Sequence, residues 1–245
     1  MTMPNMRLFG MTSGATASSL QFDGTGYLRT TTGTNATNFG AGIFTVECWF
    51  MITDNSVVNG DGIRSATLFS QGENDANRFE FTVKGDSTTT GTAFSLYTAI
   101  GGSKEITWNA SISKNTWHHV AFVRPNLFAT VICYFNGTAL TVTTNTLTTN
   151  TISNADASAI NIGRLGYTGL GGYLHNLVGR IFNLRTVKLG AAYTGNFTVP
   201  TTPLTAINNT TLLICQKPDL FKDNSTSNLL FTQNGGVTTS TLKPF

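Results

Sequence analysis

Apolar and polar residues alternate with a period of two over much of this chain. From residue 44 to residue 50, the even positions hold Phe, Val, Cys and Phe, whereas the odd positions hold Thr, Glu and Trp. Because successive side chains of a strand point to opposite faces, this period predicts a strand whose even positions face a core. Similar runs predict further strands at residues 67–70, 78–83, 94–99, 106–108, 116–124, 131–135, 159–164, 174–187 and 211–215.

Turn-forming residues separate these runs. The dipeptide Asn136-Gly137 favours a two-residue hairpin, and Leu140 and Val142 are predicted to pair back onto the preceding run. At Asp23-Gly24 a turn divides residues 20–30 into two short runs, which predict either a hairpin or one strand with a bulge. We interpret these two runs as the first paired strands.

Near the end of the chain, residues 229–231 and 236–238 predict a last pair of strands. No long run has the helical period of 3.6 residues, and at most a short helical turn fits near residues 188–193. Residues 143–158 are mostly Thr, Asn, Ser and Ala, and they are predicted to form an exposed connection.

Many short strands with turn signals between them predict an all-β protein, either a sandwich or a barrel. The composition agrees, because Thr suits the outer face of a sheet and Gly and Asn suit turns. With 245 residues, the chain is long enough for one large all-β domain. We predict a single domain at residues 19–245 and an N-terminal arm at residues 1–18 as a docking segment.

Charged residues are unusually scarce, at 11% of the chain, against about 25% in an average soluble protein. The 15 basic and 12 acidic residues give a formal net charge of only +3, and the basic residues are scattered. This pattern argues against a nucleic-acid partner. No window holds the roughly 20 apolar residues of a membrane helix, and the first residues do not resemble a secretory signal.

Each of the three cysteines lies inside an apolar strand-like run. A free Cys at such a position commonly behaves as a small buried hydrophobic residue, so we predict reduced thiols in the core. The alternative is that one pair bridges two neighbouring strands, although an odd count argues against a full disulfide framework. The residues concerned are Cys48, Cys133 and Cys215.

Five strings resemble, in order, the strands of LamG-like domains with the concanavalin A-like jelly-roll fold. They are FTVECWF at 44–50, TWHHVA at 116–121, YFNG at 134–137, INIG at 160–163 and VGRIFNLR at 178–185. The corresponding family patterns include W-x-H-V-A, Y-x-N-G and G-x-I-x-x-L-R. The resemblance implies a two-sheet antiparallel jelly-roll sandwich, which is narrower than the sandwich or barrel that the pattern predicts.

The closing part of the chain resembles LamG-like domains of tailed-phage virion proteins, including those of cyanobacterial phages. The similar strings are YTGNFTVPTTPL at 193–204, LLICQ at 212–216, FKDNS at 221–225 and the final Pro244-Phe245. The resemblance implies a location at or near a virion surface.

Glucanases share this sandwich, and a retaining glycosidase needs two carboxyl groups about 5 to 5.5 Å apart. The family's enzymes carry E-x-D-x-x-E or E-x-x-x-E in one strand, but Glu47 and Glu80 each stand alone in theirs. Adjacent His118 and His119 point to opposite faces of a strand, so they cannot easily chelate one ion. We interpret these histidines and His175 as structural, and we predict a protein that is not an enzyme.

Two kinds of binding site remain as candidates. Some LamG-like domains bind calcium in a rim loop, where Glu73 and Asp75 offer hard oxygen ligands. Sugar rings stack on exposed aromatic side chains, and Trp49, Trp108 and Tyr167 are the candidates for such a platform. The alternative is that the carboxylates are merely solvated and that the aromatic rings pack in the core.

The function that these observations favour is a structural protein of a phage virion, most simply a capsid decoration protein. Its expected partners are capsid or tail proteins and further copies of itself. The alternative is a receptor-binding protein of a tail or fibre that recognises a host surface glycan. A glycoside hydrolase is the third class, and it would need a carboxylate pair.

Overall fold

The computed structural model describes residues 18–54, 64–73, 77–85, 90–99, 102–147, 151–152, 158–166, 175–216 and 219–245. These residues contain sixteen β-strands and no helix. The strands are β1 (Ser19–Asp23), β2 (Tyr27–Thr30), β3 (Phe44–Asp54), β4 (Arg64–Gln71), β5 (Phe79–Gly85), β6 (Thr90–Thr98), β7 (Lys104–Ser113), β8 (His118–Arg124), β9 (Ile132–Phe135), β10 (Thr138–Ala139), β11 (Val142–Asn145), β12 (Ile160–Ile162), β13 (Val178–Lys188), β14 (Thr210–Ile214), β15 (Phe231–Asn234) and β16 (Val237–Ser240).

The strands form two antiparallel sheets of eight strands each. The first sheet has the order β10-β9-β8-β3-β13-β1-β16, and β14 also pairs with β13. The second sheet has the order β11-β7-β6-β5-β4-β12-β2-β15. The all-β, two-sheet antiparallel sandwich predicted from the sequence is therefore confirmed.

Aromatic side chains from both sheets meet in one hydrophobic core. The ring of Phe81 in the second sheet lies 4.5 Å from that of Phe122 in the first, and Trp108 lies 5.9 Å from the same ring. In β3 the even positions from Phe44 to Phe50 all belong to this core, as the alternation predicts. Cys48, Cys133 and Cys215 are free and buried, as expected.

Both predicted pairs of strands at the chain ends were wrong. β1 pairs with β13 and β16 in the first sheet, whereas β2 pairs with β12 and β15 in the second. Gly24, with φ of 88°, therefore turns the chain from one sheet to the other. β15 and β16 also lie in different sheets, because β15 pairs with β2 and β16 pairs with β1.

The predicted hairpin at Asn136-Gly137 joins β9 to β10, and both turn residues have positive φ, at 48° and 81°. Leu140 continues the pairing through its amide, which donates to the Cys133 carbonyl at 2.8 Å. Val142 does not continue it, since this residue pairs with Trp108 in the second sheet. The chain changes sheets here as well.

Two more expectations need correction. The predicted exposed connection at residues 143–158 includes part of strand β11, and Ile152 is fully buried in the core. Near residues 188–193 there is no helical turn, because β13 extends to Lys188 and irregular chain follows. Among the described residues there is also no helix that is long and apolar enough to cross a membrane.

Candidate functional site

The outer face of the first sheet, opposite the core, is covered by the chain that links β13 to β14. We call residues 189–205 the strap. Within it the rings of Tyr193 and Phe197 stack at 3.5 Å and lie against the outer side of the sheet, where Phe197 approaches Tyr134 at 5.5 Å. The strap amide of Phe197 also donates to the carbonyl of Gly137 at 2.9 Å. Residues of the outer face are therefore buried although they do not belong to the core.

Beneath the strap lies a buried cluster of charged and polar side chains centred on Glu47. The carboxylate oxygen Oε1 accepts hydrogen bonds from Arg185 Nε at 2.9 Å and Nη2 at 2.5 Å. The other oxygen, Oε2, accepts one from the Tyr193 hydroxyl at 2.8 Å. His119 Nε2 lies 3.2 Å from Oε2, although its approach falls outside ordinary hydrogen-bond geometry. Three strands and the strap thus meet at one carboxylate.

Electrostatics keep this carboxylate ionised. Burial raises the pKa of Glu47, but the nearby His119 ring, the Arg185 charge and the Tyr193 hydroxyl together outweigh burial, so the pKa lies below its ordinary value. Burial and the Glu47 charge raise the pKa of Tyr193, which holds the phenol as a hydrogen-bond donor. The cluster therefore fastens the strap to the sheet.

A pocket of about 290 Å³ opens on the same outer face. It lies between the end of the strap and the chain that follows β16, which we call the C-terminal tail, residues 241–245. The ring of Phe245 lies 5.6 Å from that of Phe182 and 6.0 Å from that of Trp49. The lining surface is mainly apolar, and the described residues that form it are Ser18, Phe182, Pro203, Gln216, Lys243 and Phe245.

The three aromatic residues predicted as a glycan platform have different surroundings. Trp49 lies half-buried on the outer face of the first sheet, with its ring edge-on to both His119 and Phe245. Trp108 is 0% exposed in the core, so its ring offers no face to a sugar. Tyr167 lies outside the described residues. Of the two that are described, Trp49 lies beside this pocket through its contact with the lining residue Phe245.

The predicted calcium ligands are not brought together by the described residues. The carboxylate of Glu73 is paired with the guanidinium of Arg29, and Asp75 lies outside the described part of the chain. No group of three or more His, Cys, Asp or Glu side chains that could hold a metal occurs among the residues described. Calcium binding at this rim stays a prediction, which calorimetry with calcium chloride would check.

The three histidines contact structural partners. Adjacent His118 and His119 do face opposite sides of β8, with His118 near the core ring of Phe135 at 4.9 Å. Desolvation by burial lowers the pKa of His118, although a hydrogen bond with the Ser113 carbonyl partly opposes it. His175 precedes β13, and its Nδ1 lies 3.2 Å from Oε2 of Glu80 in the second sheet.

Every carboxylate of the described residues has a partner within the protein. Glu80 accepts a hydrogen bond from the Thr67 hydroxyl at 3.1 Å, and Asp223 accepts one from the Leu213 amide at 3.0 Å. The partners of the remaining acids are amides, hydroxyls or cations, and these acids are Asp23, Asp54, Glu73, Glu105 and Asp219. These carboxylates act as structural acceptors.

The sequence reasoning missed the residues that line the pocket. Phe182 and Gln216 lie in strand-like runs and carry no local signal that distinguishes them from core residues. Phe245 and its neighbour Pro244 enter the sequence analysis only as part of a family resemblance, which assigns them no role in binding. The pocket forms from five distant parts of the chain, which no motif of contiguous residues records.

Comparisons with solved structures identify proteins of the same fold. The native heptameric SAP-like pentraxin of Limulus polyphemus has a TM-score of 0.61 and 16% identity, with 92% of this chain and 95% of that chain covered. A Bacteroides ovatus protein to which carbohydrate binding is attributed also gives 0.61 and 16%, with 91% of this chain and 60% of that chain covered. The CBM40 domain of the Ruminococcus gnavus IT-sialidase, bound to α2,3 sialyllactose, gives 0.50 and 10%, with 74% and 95% covered.

No curated protein has a matching sequence. A family model described as the concanavalin A-like lectin/glucanases superfamily matches residues 22–185. That range begins in β1 and ends in β13, so it includes strands of both sheets and most of the core. The chain therefore belongs to the concanavalin A-like lectin/glucanase superfamily.

Proposed function

We propose that this protein is a non-enzymatic, lectin-like structural protein of a phage virion, displayed on the particle as a capsid decoration protein. The observation that carries the proposal is the role of the phage-like closing sequence in the fold. Residues 193–204 form most of the strap, and residues 212–216 include the end of β14. The likeness to virion proteins therefore concerns a segment that packs on the outer face of the first sheet over β3, β8, β9 and β13.

The carboxylates support the non-enzymatic part of the proposal. Every described Asp or Glu has a structural partner, and the fully buried carboxylate of Glu47 is bonded to Tyr193 of the strap. A glycosidase needs a pair of carboxylates that is free to reach a sugar. The fold of this superfamily also occurs in proteins that bind carbohydrate, so binding is the simpler use of it.

Attachment to a particle would use polar surfaces and sheet edges. Strand β11 is the outermost described strand at one side of the second sheet, and all four of its residues are exposed. An exposed edge of this kind can add to the sheet of a neighbour through main-chain hydrogen bonds. Capsid proteins and further copies of this chain are the partners that we propose.

Mass spectrometry of purified virions, with absolute copy numbers, tests the location. A decoration protein is expected at hundreds of copies per particle, whereas a tail or fibre protein is expected at a few to a few dozen. Absence of the protein from washed virions would overturn the virion proposal altogether.

The N-terminal arm is the proposed docking segment. Deletion of residues 2–18 is expected to abolish incorporation into particles while the purified domain still melts cooperatively. Ser18 itself lies against β16, with its amide donating to Ser240 O at 2.7 Å, so a deletion of residues 2–17 is the matched variant that keeps this bond. Normal copy number in both variants would contradict the docking role.

The pocket beside Trp49 favours a second candidate function, recognition of a host surface glycan by a tail or fibre protein. Aromatic rings and a few polar groups in a concave site are typical of ligand pockets. A glycan array with the purified protein tests this candidate. Saturable binding together with low copy number would favour receptor recognition, whereas no binding together with high copy number would favour decoration.

A further inference from the structure

Among the described residues that line the pocket between the strap and the C-terminal tail, Lys243 carries a positive charge. We infer that this pocket binds one acidic sugar residue, whose carboxylate pairs with Lys243. The inference rests on the proposed lectin-like function and specifies the ligand class of the candidate glycan site. It is carried by the apolar walls of the pocket, by its polar groups and by its size.

The walls fit the apolar face of a sugar ring. The half-buried Phe245 of the C-terminal tail offers the accessible ring, and Phe182 from β13, only 4% exposed, packs against it as support. The two rings contact each other edge to face, and Phe245 also contacts Trp49. Because these contacts hold the rings in place before a ligand arrives, little side-chain entropy is lost when a sugar stacks on them.

The polar groups are few and differ in kind. Gln216 is 7% exposed, and its Nε2 donates to the carbonyl of Leu204 and to the side chain of Asn183. Both bonds use Nε2, which leaves the carboxamide oxygen of Gln216 as an acceptor for a ligand hydroxyl. Lys243 is exposed, and its ammonium group forms no ion pair with a described residue. A ligand with hydroxyl groups and one negative charge complements this set.

The size of the pocket limits the ligand to a single ring. Its volume of about 290 Å³ lies at the lower end of ordinary ligand pockets, which begin near roughly 300 Å³. One sugar residue therefore fits inside, and the rest of a polysaccharide would continue outside the pocket. An acidic capsular or extracellular polysaccharide has the required chemistry.

Nuclear magnetic resonance titrations of the full chain with four probes test the inference. The probes are glucuronate, its methyl ester, glucose and leucine amide, and the variants are Lys243→Gln and Lys104→Gln. Lys104 lies at the start of β7 in the other sheet, so its loss changes the net charge equally without touching the pocket. Phe245→Ala tests the apolar wall.

Glucuronate is expected to bind more tightly than its ester by about threefold to tenfold, since a charge-assisted contact at an exposed rim has a modest effect. Lys243→Gln should remove that preference, Lys104→Gln should keep it, and Phe245→Ala should weaken both sugars. Equal binding of acid and ester, or equal effects of the two lysine variants, would overturn the acidic preference. If glucose binds and glucuronate does not, the acidic preference is wrong, but the lectin-like function is still supported.

The remaining outcomes separate the inference from the function on which it rests. If only leucine amide shifts the resonances of pocket residues, the pocket accepts an apolar side chain of a protein, and the sugar inference is wrong. If a glycan array finds binding that Phe245→Ala leaves unchanged, the lectin-like function survives at another site. If neither the array nor the titrations detect any saccharide, both the inference and the glycan-binding function fail.

Discussion

Replacement of Glu47 by Gln tests whether the buried charged cluster holds the strap in place. The carboxylate is 0% exposed, and it accepts hydrogen bonds from both Arg185 and Tyr193. Gln has nearly the same shape but carries no charge. One of its two terminal atoms is an NH₂ donor, which would face the Arg185 or Tyr193 donor without accepting a hydrogen bond. The change therefore removes the charge without creating a large cavity.

The expected loss is large because little solvent reaches the pair. Breaking a buried ion pair by neutralising one partner costs about 3–5 kcal/mol in the free energy of unfolding, since the other charge stays buried and unpaired. Here the Arg185 side chain, at 7% exposed, keeps its bond from Nη1 to the carbonyl of Thr205 but loses the opposite charge that neutralises it. Adding Arg185→Met to Glu47→Gln should restore part of the loss, because the double variant has no unpaired charge.

Urea denaturation followed by tryptophan fluorescence measures the effect. The control is Glu105→Gln, because the ion pair of Glu105 with Lys84 is about a quarter exposed on each side, and exposed pairs are worth about 0–1 kcal/mol. The slope of the transition should not change, so that the midpoints can be compared. A loss of less than about 1 kcal/mol for Glu47→Gln, or a loss equal to the control, would refute the role of the cluster.

Three more predictions concern stability and reactivity. The pKa of Glu47 is lower in the folded state than in the unfolded state. Its contribution to the free energy of unfolding is therefore fully present above the unfolded pKa and is lost as the pH falls through the folded pKa. Melting experiments at different pH should accordingly show a smaller acid-induced loss of stability in Glu47→Gln than in the unmodified protein. Gly137→Ala should destabilise by about 1 kcal/mol or more, because Gly137 has φ of 81° and an added Cβ would lie 2.1 Å from Phe197 O. Gly195→Ala, where nothing lies within 4 Å, is the control, and equal melting temperatures would contradict the reasoning. Thiol titration should find no fast-reacting group in the native protein and three in denaturant, because burial raises the pKa of Cys48, Cys133 and Cys215; fast modification of native protein would contradict it.

Local pattern was enough to predict the strands but not their partners. The alternation from Phe44 to Phe50 identifies a buried face, and Asn136-Gly137 identifies a turn with positive φ. Whether a turn joins strands of the same sheet depends on which neighbours bury the next apolar run. At Asp23-Gly24 the second run is buried by β12 and β15, which lie far away in sequence.

For the candidate site, the sequence pattern predicts the burial of one residue that was proposed for glycan binding, but it does not predict which charged residues pair. Trp108 is two residues from Ile106 and four from Ile112, and all three belong to the core, so the period of two already marked it as buried. By contrast, Glu47 and Arg185 are 138 residues apart and meet because β3 and β13 are neighbours. Such a pair cannot be read from one sequence, since the register of distant strands sets it.

The buried cluster and the pocket are parts of one set of bonds on the outer face. Glu47 binds Arg185, and Arg185 in turn donates to the carbonyl of Thr205 at the end of the strap. The preceding residue, Leu204, accepts a hydrogen bond from the pocket residue Gln216. Pro203, which lines the pocket, lies on the same short stretch of strap. A variant that releases the strap is therefore expected to displace the pocket wall, so that the proposed binding of the glucuronate probe should weaken together with stability.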